Sequence, residues 1–194
     1  MRQSFVFLAE GFEELEAITA IDLLRRAGFE LTTVSISSSL QVRGAHGVIV
    51  TADTLFDNTL FKDPAWLILP GGMPGATNLH EFAPLRGLLA RQAASPSGRI
   101  AAICASPAVV LGQQGLLKDE TATCYPGFEG MLEGARHIDA AVVVSGKFVL
   151  GNGPANAMSW AMTIIEEEKG RLDAEKVATG LLLYHGADTD NFFG

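Results

Sequence analysis

Short apolar runs alternate with amphipathic stretches along the chain. The apolar runs predict strands over residues 4–9, 30–36, 65–69 and 99–103, and shorter strands near 121–124, 140–145 and 147–151. The stretches between them predict helices over residues 13–27, 75–81, 84–94, 154–169 and 173–183, and a further helix from residue 105. A glycine-punctuated segment at residues 44–50 is typical of a small hairpin.

Strands that are apolar throughout are buried on both faces, which is typical of a mostly parallel sheet between helices. The chain of 194 residues is long enough for one domain with a substantial core. We therefore expect residues 1–194 to form a single α/β domain. The tail from His185 to Gly194 is expected to be loosely held.

Composition and charge exclude some kinds of molecule as binding partners of this chain. The chain is 48% hydrophobic and 19% charged, as globular proteins are, and its net charge of −8 argues against a nucleic-acid-binding surface. No apolar run approaches the length of a membrane-spanning helix, and the N-terminal run is too short for a signal peptide. Two cysteines are too few for a disulfide framework, so we expect a cytoplasmic protein. The scattered histidines give no metal-ligand spacing, and no cofactor is predicted.

Cys104 is the residue with the strongest chemical signal. It follows the apolar run at residues 99–103 and precedes Ser106 and Pro107, a pair that fits an N-cap and a first helical position. The thiol would therefore lie on a sharp strand-to-helix turn, as in a nucleophile elbow. The positive end of the helix would favour the thiolate. The alternative is a buried cysteine that packs as a small hydrophobe.

Two further sequence features lie where predicted strands end, which is where ligands bind in parallel α/β folds. Glu16 heads an apolar stripe of the first predicted helix and is expected to point inward, although Glu13 shares part of that face. A carboxyl beside a sulfur would have a raised pKa and could exchange a proton with it. Gly71 and Gly72 end another strand, either as a plain turn or, together with the N–H of Ala105, as an oxyanion hole.

Four segments resemble the ThiJ/YajL/PfpI superfamily, in the branch that contains the human Parkinson-linked deglycase and chaperone. They occur in the family's order and span nearly the whole chain: Leu8 to Glu16 (LAEGFEELE), Leu69 to Gly72 (LPGG), Ala101 to Pro107 (AAICASP) and Gly151 to Pro154 (GNGP). The resemblance implies a flavodoxin-like three-layer sandwich and a homodimer. It also implies that Cys104 is the nucleophile, that Glu16 is the carboxyl bonded to it, and that Gly72 and Ala105 line an anion pocket.

Several positions depart from the superfamily's patterns. The protease-like branch has a histidine directly after the cysteine, where this chain has Ala105, and some nearer relatives have one where this chain has Tyr125. His46 stands where a relative carries arginine, and it is either a surface residue or part of the pocket. Cys124 is either a packed thiol or a redox partner of Cys104. The candidate pocket residues are Glu13, His46, Tyr125, Gly153 and Pro154.

The resemblance and the residues together predict a cysteine-dependent enzyme that acts on small α-oxoaldehydes such as glyoxal and methylglyoxal without glutathione, or on related glycation adducts. Cys104 would be the nucleophile and Glu16 the proton shuttle. The alternatives are a redox sensor or chaperone that works through oxidation of Cys104, and an amidase or peptidase-type hydrolase, which the missing adjacent histidine disfavours. A nucleotide or flavin module is disfavoured because no glycine-rich phosphate loop follows the first strand.

Overall fold

Strands and helices alternate along residues 2–183, the range that the computed structural model of the chain describes. The strands are β1 (Ser4–Leu8), β2 (Leu31–Ser35), β3 (Gln41–Arg43), β4 (Ile49–Thr51), β5 (Thr54–Leu55), β6 (Trp66–Leu69), β7 (Arg99–Ile103), β8 (Thr121–Ala122), β9 (Arg136–His137), β10 (Val142–Ser145) and β11 (Phe148–Gly151). The helices are α1 (Glu14–Arg26), α2 (Gly75–Glu81), α3 (Ala83–Ala94), α4 (Ala157–Lys169) and α5 (Arg171–Gly180). The tail for which loose attachment was expected, His185 to Gly194, lies outside the described residues.

Seven of these strands form one central sheet in the order β10-β11-β7-β6-β1-β2-β5. Every neighbouring pair is parallel except β10 and β11, which form an antiparallel hairpin at one edge. The predicted hairpin at residues 44–50 is present, with β3 and β4 as its antiparallel strands. The prediction of a mostly parallel sheet between helices is confirmed.

The apolar strands are buried because helices cover the sheet on both faces. Every residue of β1 and β6 is buried, although side chains along a strand point alternately to the two faces. Helix α4 packs against α1 and α5, whereas α2 packs against α3 and the helical segment after β7. Trp160 of α4 is fully buried and its indole N–H donates to Val149 O at 3.0 Å, as expected for a core residue.

Sequence patterning missed two of the three described strands that have only two residues. β5 and β9 have no apolar run of their own, because both are short and their side chains are partly or fully exposed. β8 is shorter than the run predicted near residues 121–124. The last helix begins at Arg171 rather than residue 173, directly after Gly170, whose φ of 85° ends α4. Among the described helices, none combines the length and the apolar character needed to cross a membrane.

Replacing one buried side chain at the centre of the sheet should be costly. Ile68 of β6 is fully buried between β1 and β7, so Ile68→Ala should lower the free energy of unfolding by about 2–5 kcal/mol through lost burial and a cavity. The same substitution at Ile138, which is 36% exposed, should cost about 0.5 kcal/mol or less. Urea unfolding of both variants checks this, and equal losses would contradict the assigned position of β6.

Candidate active site

Cys104 occupies a strained turn between β7 and the helical segment Pro107–Gly112. Its φ of 64° lies in the left-handed region, which a non-glycine residue adopts at a cost of about 1–3 kcal/mol. Hydrogen bonds hold both sides of the residue: Cys104 N donates to Gly151 O at 2.9 Å, and Tyr125 N donates to Cys104 O at 2.8 Å. The predicted strand-to-helix elbow is therefore present, and two other chain segments maintain it.

The residues after the elbow differ from the predicted N-cap arrangement. Ser106 already has helical backbone angles and its side chain makes no cap bond; its hydroxyl donates instead to Pro70 O at 2.6 Å. The segment that follows is π-helical rather than α-helical, with Gln113 N donating to Ala108 O. The prediction of Ser106 as an N-cap was wrong, because its buried hydroxyl donates to the Pro70 carbonyl at the end of the neighbouring strand β6 instead of capping the helix. That bond ties the elbow to the segment before Gly71.

Glu16 lies on the first turn of α1 and points into the protein. The carboxylate of Glu13, the residue before α1, caps the helix by accepting a hydrogen bond from Glu16 N at 2.8 Å. The Glu16 side chain is completely buried, and its Oε2 accepts a hydrogen bond from Gly71 N at 2.7 Å. Its Oε1 is also buried and has no hydrogen-bond partner among the described residues. The inward orientation predicted for Glu16 is confirmed.

Gly71 and Gly72 have different roles, which corrects the prediction that both bind an anion. The N–H of Gly71 is already used by Glu16, whereas the N–H groups of Gly72 and Ala105 interact with the sulfur of Cys104. Both positions require glycine. A Cβ on Gly71 would lie 2.7 Å from the Cβ of Cys104, and one on Gly72, whose φ is 87°, would lie 2.4 Å from Glu13 N.

The pKa of Glu16 is raised from its ordinary value to about 7. Burial is the main cause, because the ionised carboxylate loses its hydration, and the neighbouring charge of Glu13 adds to the effect. The hydrogen bond from Gly71 and the interaction with the Cys104 thiol oppose the rise. Glu16 therefore changes its protonation near neutral pH, as a proton shuttle must.

The pKa of the Cys104 thiol is raised to about 12, and this overturns the expectation that the adjacent helix favours the thiolate. Burial of the sulfur and the negative charge of Glu16 outweigh the hydrogen bonds from Gly72 and Ala105, which lower the pKa. With Glu16 ionised, the thiol keeps its proton. When Glu16 is protonated its charge no longer opposes the thiolate, whereas the two backbone donors remain.

The outer wall of the site comes from the segments after β8 and β11. Tyr125, whose N–H contacts the Cys104 carbonyl, is 44% exposed and packs its ring beside Gly153, where an added Cβ would lie 3.4 Å from the ring. Pro154 begins a 3-10 turn at the same edge of the sheet. Tyr125 therefore lies next to the elbow and Gly153 lies beside its ring, whereas the role of Tyr125, Gly153 and Pro154 as pocket lining stays a prediction.

His46 contacts the start of α1. It lies in the turn between β3 and β4 with a side chain that is 73% exposed, and its Nδ1 is 2.8 Å from Glu14 Oε2. Burial alone would raise the pKa of Glu14, but hydrogen bonds from His46 and Val48 bring it below its usual value. As an acidic residue in the first turn, Glu14 favours the helix. The structure shows that it also holds the hairpin against α1, which no sequence pattern indicated.

Cys124 is a free, buried thiol in the structure. Burial, followed by the charge of Glu129, raises its pKa to about 11. It directly precedes Tyr125, whose N–H donates to the Cys104 carbonyl. It forms no disulfide with Cys104, and the choice between a packed thiol and a redox partner stays open.

A family model described as the DJ-1/PfpI family matches residues 2–167. The chain belongs to this family. It is 35% identical over 178 residues to Protein DJ-1 homolog B of Arabidopsis thaliana. The matched region is 91% of this chain but only 40% of that relative, so the chain spans less than half of the relative's length. It is 32% identical over 162 residues to the Glutathione-independent glyoxalase DJR-1.2 of Caenorhabditis elegans, with 83% of this chain and 85% of the relative covered.

Solved structures of the DJ-1/PfpI family share the fold. The structure described as Toxoplasma gondii DJ-1, oxidized, superposes with a TM-score of 0.89 at 38% sequence identity, over 94% of this chain and 98% of that chain. A thiol on an elbow, a buried carboxyl and two backbone donors thus occur here in a chain of this family. Such a set can add sulfur to a carbonyl carbon or hold an oxidised sulfur.

Glu16 should make the stability of the folded protein depend on pH. Because its folded-state pKa is raised from 4.5 to about 7, its contribution is fully present below about pH 4.5 and is lost as the pH rises through 7. The loss is on the order of 3 kcal/mol. Urea unfolding of the wild type and of Glu16→Gln between about pH 4.5 and pH 8 measures it.

Glu16→Gln should lack this loss, since an amide does not ionise. Glu81→Gln, at an exposed position on α2, is the matched control and should keep the wild-type pH profile. Identical profiles for the wild type and Glu16→Gln would show that the raised pKa of Glu16 is wrong.

Proposed function

We propose that this protein converts small α-oxoaldehydes such as glyoxal and methylglyoxal to α-hydroxy acids without glutathione, with Cys104 as the nucleophile and Glu16 as the proton shuttle. The observation that carries the proposal is the pair itself. A thiol on a strained elbow interacts with a fully buried carboxyl whose pKa is raised to about 7, so one proton can be exchanged between them at neutral pH.

The first step forms a bond between the Cys104 sulfur and the aldehyde carbon. Glu16 takes the thiol proton as sulfur attacks and returns it to the carbonyl oxygen, which gives a hemithioacetal. The N–H groups of Gly72 and Ala105 stabilise the negative charge on sulfur before the bond forms. The high pKa of the resting thiol is compatible with this step, because the thiolate forms only as Glu16 becomes neutral.

The second step moves a proton between the two carbons of the substrate. Glu16 removes the proton from the carbon that carries sulfur and delivers it to the neighbouring carbonyl carbon through an enediol, which leaves a thioester of the hydroxy acid. Water then attacks the thioester carbon, releases the hydroxy acid and regenerates the thiol. The sum is methylglyoxal plus water giving lactate, so no external oxidant or reductant is needed.

The relatives support this substrate class. The Caenorhabditis elegans relative named a glutathione-independent glyoxalase is matched over most of its length, and the Cys104–Glu16 pair supplies the groups that such a reaction requires. Deglycation of methylglyoxal adducts would use the same addition and proton transfer. Hydrolysis of amides or peptides is less well supported, because Ala105 follows the nucleophile where a Cys–His pair would need histidine.

Substitution of either member of the pair should remove lactate formation from methylglyoxal. Cys104→Ser should lower turnover to background, and Glu16→Gln should lower kcat/KM by roughly 10²–10⁴-fold because the proton shuttle is lost. Cys124→Ser is the matched control, a buried thiol outside the pair, and should retain turnover. Lactate is measured without glutathione. Undiminished turnover in Cys104→Ser would refute the proposal.

A second candidate function is oxidation sensing through Cys104, with or without chaperone activity, and the related solved structure described as oxidized favours it. Hydrogen peroxide would convert the thiol to a sulfenic acid and water, and a second peroxide would give a sulfinic acid and water. Neutral Glu16 and the N–H groups of Gly72 and Ala105 are suitable donors to the sulfinate oxygens.

Mild peroxide should therefore add two oxygen atoms to the protein at Cys104, as measured by intact mass and peptide mapping. Cys124→Ser should show the same gain, and Cys104→Ser should show none. A wild-type chain that keeps its mass, or a gain that persists in Cys104→Ser, would exclude this function.

The homodimer and the cytoplasmic location stay predictions.

A further inference from the structure

Three metal-ligating side chains meet where the β3–β4 turn crosses the start of α1. Glu14 is the first residue of α1, Glu13 directly precedes the helix, and His46 lies in the turn. One carboxylate oxygen of each glutamate and one imidazole nitrogen lie within 4.8 Å of one another. No sequence spacing indicated this group, because His46 is more than 30 residues away along the chain.

The distances suit a shared cation. His46 Nδ1 lies 2.8 Å from Glu14 Oε2 and 3.8 Å from Glu13 Oε1. Ligand atoms about 2.0–2.2 Å from a tetrahedral zinc ion are about 3.3–3.5 Å apart, a value between the two observed distances. Side-chain shifts of about half an ångström would bring both distances from the imidazole nitrogen to this value. All three ligand atoms already lie within 4.8 Å of one another.

Each carboxylate has one oxygen fixed by the backbone and the other directed to the imidazole. Glu14 Oε1 accepts hydrogen bonds from His46 N at 2.7 Å and Val48 N at 3.3 Å, and Glu13 Oε2 accepts one from Glu16 N. These backbone donors act as the outer partners that usually orient metal ligands. The oxygens that face His46 do not have to rotate to reach a cation.

A second observation concerns Glu13 alone. Its side chain is only 10% exposed, yet no hydrogen bond from residues 2–183 reaches Oε1, and the nearest cationic group is His46 Nδ1 at 3.8 Å. Glu13 Oε1 is therefore directed to the imidazole and retains coordination capacity on the side that faces His46.

We propose that Glu13, Glu14 and His46 bind a divalent transition-metal cation of the zinc class. The two carboxylates balance the charge of the ion, the neutral imidazole supplies a third ligand, and the fourth position stays open. The imidazole is 73% exposed, so the ion can enter from solvent. The imidazole favours Zn²⁺ over Mg²⁺ and Ca²⁺, which prefer oxygen ligands. A bound ion would fasten the hairpin to α1, immediately before Glu16.

Zinc titration followed by calorimetry tests this site without any measurement of turnover. The full chain carrying Cys104→Ser and Cys124→Ser removes thiol ligands, and we expect one equivalent of Zn²⁺ to bind and to raise the Tm. Adding His46→Gln should weaken binding at least about tenfold. His137→Gln is the matched control, since His137 is exposed on β9 outside the cluster, and it should leave the affinity unchanged.

Glu13→Gln gives a second variant that keeps the hairpin contacts of Glu14, and it should also weaken zinc binding at least about tenfold. Circular dichroism without metal checks that each variant is folded. Absence of zinc binding, equal affinity in His46→Gln and His137→Gln, or Mg²⁺ binding as tight as that of Zn²⁺ would each overturn the proposal. Because the thiols are absent throughout, the result is independent of the activity proposed for Cys104.

Discussion

The burial of one carboxyl group beside one thiol is the constraint on which the site depends. Glu16 is completely removed from water, and among the described residues only its Oε2 accepts a backbone hydrogen bond. A carboxyl in that position is stable when it is neutral, and this raises its pKa to about 7. The surrounding architecture maintains this environment: the cap from Glu13 sets the start of α1, and the Gly71 N–H fixes the carboxyl against β6.

The same burial explains why the thiol behaves differently from a cysteine at an exposed helix start. Desolvation and the Glu16 charge together exceed what backbone donors contribute, so the resting sulfur is protonated. The pair then shares a proton, and reactivity is linked to the protonation of Glu16 rather than to a permanent thiolate. Both proposed chemistries, addition to an aldehyde and retention of a sulfinate, use this property together with the N–H groups of Gly72 and Ala105.

Contacts from distant parts of the chain connect the elbow to its surroundings. Ser106 binds Pro70, Tyr125 binds the Cys104 carbonyl, and Gly151 accepts from the Cys104 N–H. On the other side of α1, Glu14 binds the β3–β4 turn through His46. The hairpin and the reactive pair therefore share the first turn of one helix. A cation held by Glu13, Glu14 and His46 would act on the same turn that carries Glu16.

The sequence by itself determined the α/β fold and the elbow at Cys104, because these follow from local periodicity and from residues adjacent in the chain. Periodicity placed Glu16 on the inward face of the first helix but left Glu13 as an alternative. Tertiary structure alone decided what each polar group binds. The Gly71 N–H donates to the Glu16 carboxylate, and the Ser106 hydroxyl donates to the Pro70 carbonyl. The pKa of the Cys104 thiol is raised, where the sequence predicted that it would be lowered. The physical reason is that hydrogen-bond partners and desolvation depend on groups brought together from distant segments, and no local pattern specifies which donor reaches which acceptor.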